Sequence, residues 1–213
     1  MRSSLRGVAY DRLREAISTG KYSPGDRLVE DEIAERLKIS RTPVREALQR
    51  LENEGLLVHE AHTGLTVVQL DYQMIMELHA MREILEGAAA AMAARNASDI
   101  ELHMLGDLLK NREEACHSAE SMAEHNRRFH QALYQCAHNR YLEKTSSVVA
   151  NAMALLSRTA FSLPKRRVEA WVEHKAIAEA IRARNPEQAD QAVRDHLRAA
   201  QVVRLRILSE NTR

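Results

Sequence analysis

The segment over residues 40–68 constrains the fold of this chain more than any other stretch. Ser40 is suited to cap a helix, Pro43 is tolerated in the first helical turn, and Gly55 is suited to end the helix. Two short β-prone runs then flank a loop that contains Gly64, which is the pattern of a β-hairpin. The segment therefore predicts one helix followed directly by a hairpin.

Two more helices are predicted before this segment. Apolar residues recur at helical spacing before a turn at residues 22–26, and again from Glu30 to Leu37. Three short helices and a hairpin within about 70 residues make a winged helix-turn-helix. We therefore predict a winged helix-turn-helix domain over residues 1–70.

Only helical signals follow from Asp71 onward. About six helices are predicted, over residues 71–95, from Ser98, over residues 120–138, over residues 139–162, from Pro164, and from Asn185 to about residue 209. An aromatic content of 4% together with abundant Ala and Leu favours packed helices over a β-sandwich. The predicted fold class is mostly α, with the winged domain followed by an all-helical bundle over residues 71–213.

Charge and cysteine content restrict the class of protein. The formal net charge is +1, so binding to nucleic acid would have to depend on the local placement of charge rather than on a global basic field. The two cysteines, Cys116 and Cys136, do not suggest a disulfide framework and fit a reducing compartment. The chain has neither an apolar run of about 18 residues nor an apolar signal core. We expect a soluble cytoplasmic protein with no membrane partner.

One face of the third predicted helix has the chemistry of a nucleic-acid contact. Arg41, Arg45 and Gln49 are spaced four apart, so they share a face opposite the apolar stripe. Guanidinium forks suit guanine and phosphate, and the Gln amide suits adenine. Thr42, in the first turn, can present its hydroxyl and backbone amide to a phosphate. We expect this face to enter the major groove, whereas the alternative is a set of solvated surface charges.

The tip of the predicted hairpin is a second candidate DNA contact. Thr63 and Gly64 can reach the groove next to the recognition helix. Gly64 has no side chain, so it permits a close approach to the duplex.

The run LVEDEIAERLKISRTPVREALQRLENEGLL resembles the DNA-binding domain of GntR-type bacterial transcription regulators. The resemblance implies that Arg41, Thr42, Arg45 and Gly64 contact double-stranded operator DNA. The chain departs from some members of the family at Asp31, where they carry arginine. It also lacks the additional basic residue that many members have in the wing.

Three of the ten histidines lie on apolar helical stripes and are predicted to point into the bundle. These are His130, His174 and His196, and Asn126 lies one turn before His130 on the same face. Burying an imidazole without a partner is costly. For a single histidine, a satisfied hydrogen bond in the core is the simpler explanation. Three in one small bundle favour a shared transition-metal centre.

The helical half resembles the FCD domain, the effector-binding domain of the FadR group of GntR regulators. Its metal-binding members carry Asp-x-x-x-His on one helix and one His on each of the last two long helices. His130, His174 and His196 match this pattern, and Asn126 replaces the aspartate. The resemblance implies a divalent metal, zinc first, with nickel and manganese as alternatives. Asn126 either ligates it directly or holds a water molecule.

Arg82 interrupts the apolar stripe that contains Leu78 and Leu85 on the first bundle helix. It either pairs with Glu86 or grips a carboxylate ligand beside the metal, and the family resemblance favours the second role. Tyr134, one turn after His130, is a further candidate for lining the effector cavity.

These features predict a ligand-responsive bacterial transcription regulator, usually a repressor in this family, that binds a palindromic operator as a homodimer. A small organic acid held in the domain over residues 71–213 would favour one arrangement of the DNA-binding domains. Two alternatives are a metal-dependent hydrolase that uses the three histidines and a regulator with a purely structural metal. Glu173 lies about 100° around the helix from His174, so no general base is evident. We therefore predict that the chain is not an enzyme.

Overall fold

The computed structural model describes residues 5–18, 20–154 and 160–211 of the 213-residue chain. The chain divides into two compact units. The first contains the chain up to Ile75 together with a short segment that begins at Asn151, and the second contains the remainder from Met76. The predicted domain boundary after residue 70 stays a prediction.

The first unit contains three helices and a two-stranded hairpin. In chain order these are α1 (Leu5–Ser18), α2 (Glu30–Leu37), α3 (Arg41–Asn53), β1 (Leu57–Glu60) and β2 (Gly64–Val67). The strands are antiparallel, and Leu57 pairs with Val67 at one end while Glu60 pairs with Gly64 at the other. This arrangement is the predicted winged helix-turn-helix.

Local backbone geometry sets the ends of these helices. Lys38 adopts a left-handed conformation (φ 56°) and its amide donates to α2 carbonyl groups, which ends α2 and turns the chain toward α3. Ser40 occupies the predicted capping position of α3 in extended conformation, although its side chain makes no capping hydrogen bond. Gly55 (φ 74°) follows the end of α3, as the sequence indicated.

The core of the first unit is formed by the inward faces of its helices and hairpin. Val44 and Leu51 of α3 are fully buried, and they pack in one cluster with Leu13, Ile33 and Val67. Burial of one such side chain stabilises the fold by roughly 1.5–3 kcal/mol. The packing therefore fixes which face of α3 points outward.

The helical half is described by seven helices. They are α4 (Tyr72–Asn96), α5 (Asp99–Asp107), α6 (Arg112–Cys116), α7 (Ala119–Cys136), α8 (Arg140–Ala154), α9 (Pro164–Arg182) and α10 (Pro186–Asn211). The short helix α6 was not predicted; the Asn111 side chain accepts from the amide of Glu114 at its start. The helix predicted over residues 139–162 corresponds to α8, and its continuation through residues 155–159 lies outside the described residues.

Side-chain caps begin several of these helices. Ser98 and Glu101 form the predicted capping box of α5: the Glu101 amide donates to Ser98 Oγ (3.3 Å), and the Ser98 amide donates to Glu101 Oε2 (2.7 Å). Pro164 opens α9, and the amide of Gln188 donates to the Asn185 side chain at the start of α10. These three starts were readable from sequence because caps are local.

Small side chains allow the helices of the second unit to pack closely. Ala89 and Ala93 of α4 are fully buried in one cluster with Phe129 of α7, Ile177 of α9 and Val193 of α10. The same four helices carry the buried polar residues described below. Among the described residues, no helix combines the length and apolar character needed to cross a membrane.

Candidate functional site

The predicted DNA-contact residues of α3 lie on its outward face. Arg41, Thr42, Arg45 and Gln49 are all exposed, while the opposite face of α3 is buried in the core. The structure thus brings two guanidinium groups, a hydroxyl and an amide to one accessible surface. Such a surface has the donors that phosphates and base edges accept from.

Both arginines of this face are paired with carboxylates at the start of α2. Arg41 Nε lies 2.9 Å from Asp31 Oδ1, and Arg45 donates to both Glu30 oxygens at 2.9 Å each. The hydrogen bond that Arg45 donates to Glu30 raises the pKa of Arg45. Exposed ion pairs are weak and screened by salt, so a phosphate or base edge can replace these carboxylates. Neither acidic partner was predicted from the sequence.

The wing tip presents Thr63 and Gly64. Thr63 is exposed, and Gly64 has φ 87°, a conformation that strains any residue with a side chain. A Cβ at Gly64 would lie 3.8 Å from Arg27 Nε, which is an ordinary contact. The glycine is therefore required for its backbone conformation rather than for space. Arg27 places an exposed guanidinium beside the wing, a basic residue that the sequence analysis did not identify.

The three predicted histidines converge inside the second unit. His130 of α7, His174 of α9 and His196 of α10 are all buried, and their candidate ligand nitrogens lie within 4.8 Å of one another. Nε2 of His130 and Nε2 of His196 are 3.3 Å apart. Three imidazoles at this separation can serve as ligands of a single metal ion.

Two imidazoles of this cluster have the protonation state that metal binding requires. Nε2 of His174 is buried without a hydrogen-bond partner among the described residues, although buried polar atoms are normally satisfied. Burial, with the neighbouring His196 and His130, lowers the pKa of His174 well below its usual value. Burial also lowers the pKa of His196 to about 4. These imidazoles are therefore neutral near pH 7, which is the form that binds metal.

Two carboxylates lie against imidazole Nδ1 atoms of this cluster; Glu86 is buried and Glu173 is half-buried. Glu173 Oε2 lies 2.7 Å from Nδ1 of His196, and Glu86 Oε2 lies 2.5 Å from Nδ1 of His130. The expectation that Glu173 lies away from the histidines is therefore wrong, because it contacts a histidine of a different helix. Glu173 accepts from Nδ1–H of His196, which leaves the Nε2 lone pair of His196 free for a metal. The contact between Glu86 and His130 is close in distance but lacks the geometry of a hydrogen bond. Burial raises the pKa of Glu173, but its hydrogen bonds with His196 and Arg166 outweigh this and lower it to about 2.

Arg82 lies next to this centre and is paired with Glu86. Arg82 Nε donates to Glu86 Oε1 over 2.6 Å, and both side chains are buried. Burial favours the neutral acid, but Arg82 and His130 hold the pKa of Glu86 well below its usual range. Of the two predicted interactions of Arg82, the ion pair with Glu86 is therefore observed. Glu86 joins this arginine to the histidine cluster.

Tyr134 and Asn126 occupy different environments on α7. Tyr134 is buried, and its hydroxyl has no hydrogen bond of good geometry among the described residues. Burial and the nearby Glu86 raise the pKa of Tyr134 well above the usual value. Asn126 is half-buried one turn before His130. Metal ligation by Asn126 and effector contact by Tyr134 stay predictions.

The structure adds buried polar residues that the sequence analysis missed. His125 Nε2 lies 3.4 Å from Nδ1 of His174, and its position one turn from the apolar Met122 and Phe129 was the available signal. Arg166, His79 and Arg204 are also buried in the second unit. The guanidinium of Arg166 donates to both oxygens of Glu173 at 2.6 Å.

Two family models match the chain. Residues 5–67 match the family of bacterial regulatory proteins described as the gntR family, and residues 77–199 match the FCD domain. Together the two matches cover both compact units.

Relatives along most of the chain are similar in sequence or fold. The chain is 30% identical over 190 residues to the HTH-type transcriptional regulator YdhC of Bacillus subtilis, across 88% of this chain and 85% of that protein. It is 30% identical over 211 residues to a "Probable D-xylose utilization operon transcriptional repressor" of Paenarthrobacter nicotinovorans, across 93% and 88%. E. coli McbR/YncC shares the fold, with a TM-score of 0.84 at 24% identity across 96% of this chain and 98% of that one.

Proposed function

Because the chain belongs to the GntR family of bacterial regulators and carries an FCD domain, we propose that it is a ligand-responsive repressor acting in the cytoplasm. Its general role is DNA-binding transcription regulation, and it is not an enzyme. The hydrolase alternative is therefore wrong. The proposal concerns the finer steps: a palindromic operator bound by a homodimer, a metal centre, and a small carboxylate effector.

The exposed face of α3 reads the operator. Arg41 and Arg45 exchange their carboxylate partners for phosphate or guanine, Gln49 contacts a base edge, and Thr42 contacts a phosphate. Thr63 and Gly64 contact the neighbouring groove. A homodimer with two-fold symmetry presents two such faces about one helical turn apart, so its operator is a palindrome. This proposal is supported by the exposure of all four α3 side chains.

His130, His174 and His196 hold a divalent metal, with zinc as the first candidate. Three imidazole ligands would leave positions on the ion at which it could bind a carboxylate. Glu86 and Glu173 keep the imidazoles oriented. Asn126 contributes either its amide oxygen or a bound water. The main support for this proposal is Nε2 of His174, which is fully buried and has no hydrogen-bond partner among the described residues.

Arg82 binds the effector carboxylate beside the metal. It is linked to His130 through Glu86, which would keep its guanidinium near a metal ion bound by His130. Tyr134 lines the same space and can donate its buried hydroxyl. A carboxylate at this position can alter DNA affinity only by binding one arrangement of the protein more tightly than another.

Metal analysis combined with thermal-shift screening of organic acids tests this proposal. The purified protein should contain about one metal ion per chain, and at least one small acid should raise the melting temperature. Both effects should be lost in His174→Ala, and the acid effect alone in Arg82→Met. His103→Ala is the matched control, since His103 is exposed on α5.

A regulator with a purely structural metal is the second candidate function, and the closed pairing of Arg82 with Glu86 favours it. In that case chelation lowers the melting temperature while no acid alters operator affinity. The screen separates the two candidates.

A further inference from the structure

The described part of the second unit buries three arginines, and two of them are paired with carboxylates. Arg82 pairs with Glu86, and Arg166 pairs with Glu173. Arg204 is 4% exposed, and no carboxylate pairs with it among the described residues. An unpaired buried charge is costly, so Arg204 indicates an anion that the described protein does not supply.

The one hydrogen bond described for Arg204 determines the tautomer of its partner. Arg204 Nη1 lies 3.0 Å from His79 Nε2. A guanidinium can only donate, so Nε2 of His79 must accept, and the proton of the neutral ring must be on Nδ1. Burial, with Arg204 and Arg82, lowers the pKa of His79 to about 3, which keeps the ring neutral.

Two buried donors are consequently left without acceptors. Nδ1 of His79 and Nε of Arg204 both lack a hydrogen-bond partner among the described residues, and His79 is 1% exposed. Because both atoms are donors, the missing group is an acceptor, and the charge of Arg204 favours an anionic one.

Helix geometry relates this pair to the metal centre. Arg204 lies eight residues after His196 on α10, which is about 12 Å along the axis and about 80° around it. Helical side chains lean toward the N-terminus, so Arg204 extends back toward His196. His79 lies one turn before Arg82 on α4. The α4 and α10 segments run antiparallel, since Arg198 also contacts Glu83.

The three guanidiniums also influence one another. After burial itself, Arg82 and Arg166 are the causes that lower the pKa of Arg204, to about 9. Arg204 thus remains charged near pH 7, in a region whose positive potential is only partly offset by Glu86 and Glu173.

We propose that Arg204 and His79 form a second anion subsite, and that the effector is therefore a short dicarboxylate. One carboxylate lies at the metal centre and Arg82, and the other accepts from Arg204 Nε and His79 Nδ1. The inference rests on the proposed effector function and adds the class of acid that the site selects.

Calorimetric titration of the full-length, zinc-loaded protein with matched acids tests the subsite. Malate and 2-hydroxybutyrate share the 2-hydroxy acid group and the carbon chain, and they differ in the distal carboxylate; succinate and butyrate form a second such pair. We expect the dicarboxylate of at least one pair to bind at least about tenfold more tightly, in line with a charge-assisted contact to a buried arginine.

Substitutions of Arg204 test whether the difference in affinity between dicarboxylates and monocarboxylates depends on this subsite. Arg204→Met should abolish the preference for the dicarboxylate and leave the affinity for the monocarboxylate within about twofold. Arg204→Lys should keep part of the preference because it keeps the charge. Arg198→Met is the control, since Arg198 is exposed on the same helix. Arg204→Met should not lower the melting temperature of the ligand-free protein, because it removes an unpaired buried charge.

The outcomes distinguish this inference from the proposed function. Equal binding of both members of every pair overturns the subsite and leaves the effector proposal standing. An equal loss of affinity for both acids in Arg204→Met assigns Arg204 a structural role and also overturns the subsite. Absence of binding by every acid overturns both proposals. If Arg204→Met does not fold, the wild-type preference and its partial retention in Arg204→Lys decide the question.

Discussion

An arginine–glutamate ion pair occurs in two different environments, once as Arg45 with Glu30 and once as Arg82 with Glu86. At the exposed face of α3, the side chains of Arg45 and Glu30 are 63% and 25% exposed. In the helical unit, those of Arg82 and Glu86 are 9% and 1% exposed. Water screens the first pair, whereas breaking the second leaves a buried charge. The first is therefore suited to partner exchange and the second to holding a fixed geometry.

The same contrast extends to the neighbours of each pair. Around Arg45, the further acidic group Asp31 is also exposed and holds Arg41. Around Glu86, the second oxygen contacts His130, so one carboxylate joins Arg82 to a residue of the histidine cluster. Substitutions on α3 should consequently alter DNA affinity alone, while those in the buried cluster should alter metal and acid binding together.

The largest expected effect is the loss of metal from the buried cluster. His174→Ala should reduce zinc affinity by more than about hundredfold, beyond the 10–100-fold usual for removal of an orienting partner. Zinc content after dialysis against a competing chelator measures it. His103→Ala should retain the metal, and full zinc retention by His174→Ala would remove His174 from the ligand set.

Arg45→Ala should weaken operator binding by about 5- to 150-fold. The side chain is replaced on an exposed face, so the melting temperature should stay close to that of the wild type. Fluorescence anisotropy with an operator selected from a random-sequence pool gives the affinity. Arg12→Ala, an exposed change on α1, is the control. Equal operator affinity in Arg45→Ala and wild type would count against α3 as the recognition helix.

Glu173→Gln should lower zinc affinity by about tenfold, because the amide holds the His196 tautomer less firmly. Chelator competition again provides the measurement. Glu179→Gln, an exposed change on the same helix, should leave zinc affinity unchanged. A Glu173→Gln protein with wild-type zinc affinity would show that His196 does not depend on this carboxylate.

The smallest effect is expected at Asp31. Asp31→Asn releases Arg41 and removes a negative charge close to the exposed face of α3. Operator affinity should therefore increase by about threefold at low salt. Glu15→Gln, on the exposed face of α1, is the charge-matched control. Weaker binding by Asp31→Asn would mean that Asp31 orients Arg41 for DNA rather than competing with it.

The sequence predicted those parts of the fold that depend on local signals. The winged helix-turn-helix was readable because Pro43, Gly55 and Gly64 mark the helix and hairpin directly. His130, His174 and His196 were readable because each replaces an apolar residue at helical spacing. That the three nitrogens lie within 4.8 Å required the tertiary structure.

The burial of His79 and Glu86 on α4 was missed for a physical reason. The apolar spacing favoured Leu78 and Leu85 as inward neighbours of Arg82, yet His79 and Glu86 are the buried residues. Hydrophobic periodicity cannot identify a buried face whose polar groups are satisfied by other helices. The partners that make burial tolerable for Glu86, such as His130 on α7, are distant in sequence.

Operator binding by the zinc-loaded protein, measured by anisotropy with and without a saturating acid from the screen, tests the central claim most directly. The acid should alter operator affinity by at least about fivefold in wild type, the lower end of typical allosteric coupling. It should have no effect in His174→Ala. An acid that binds the wild-type protein but leaves its operator affinity unchanged would contradict the claim that the buried centre controls DNA binding.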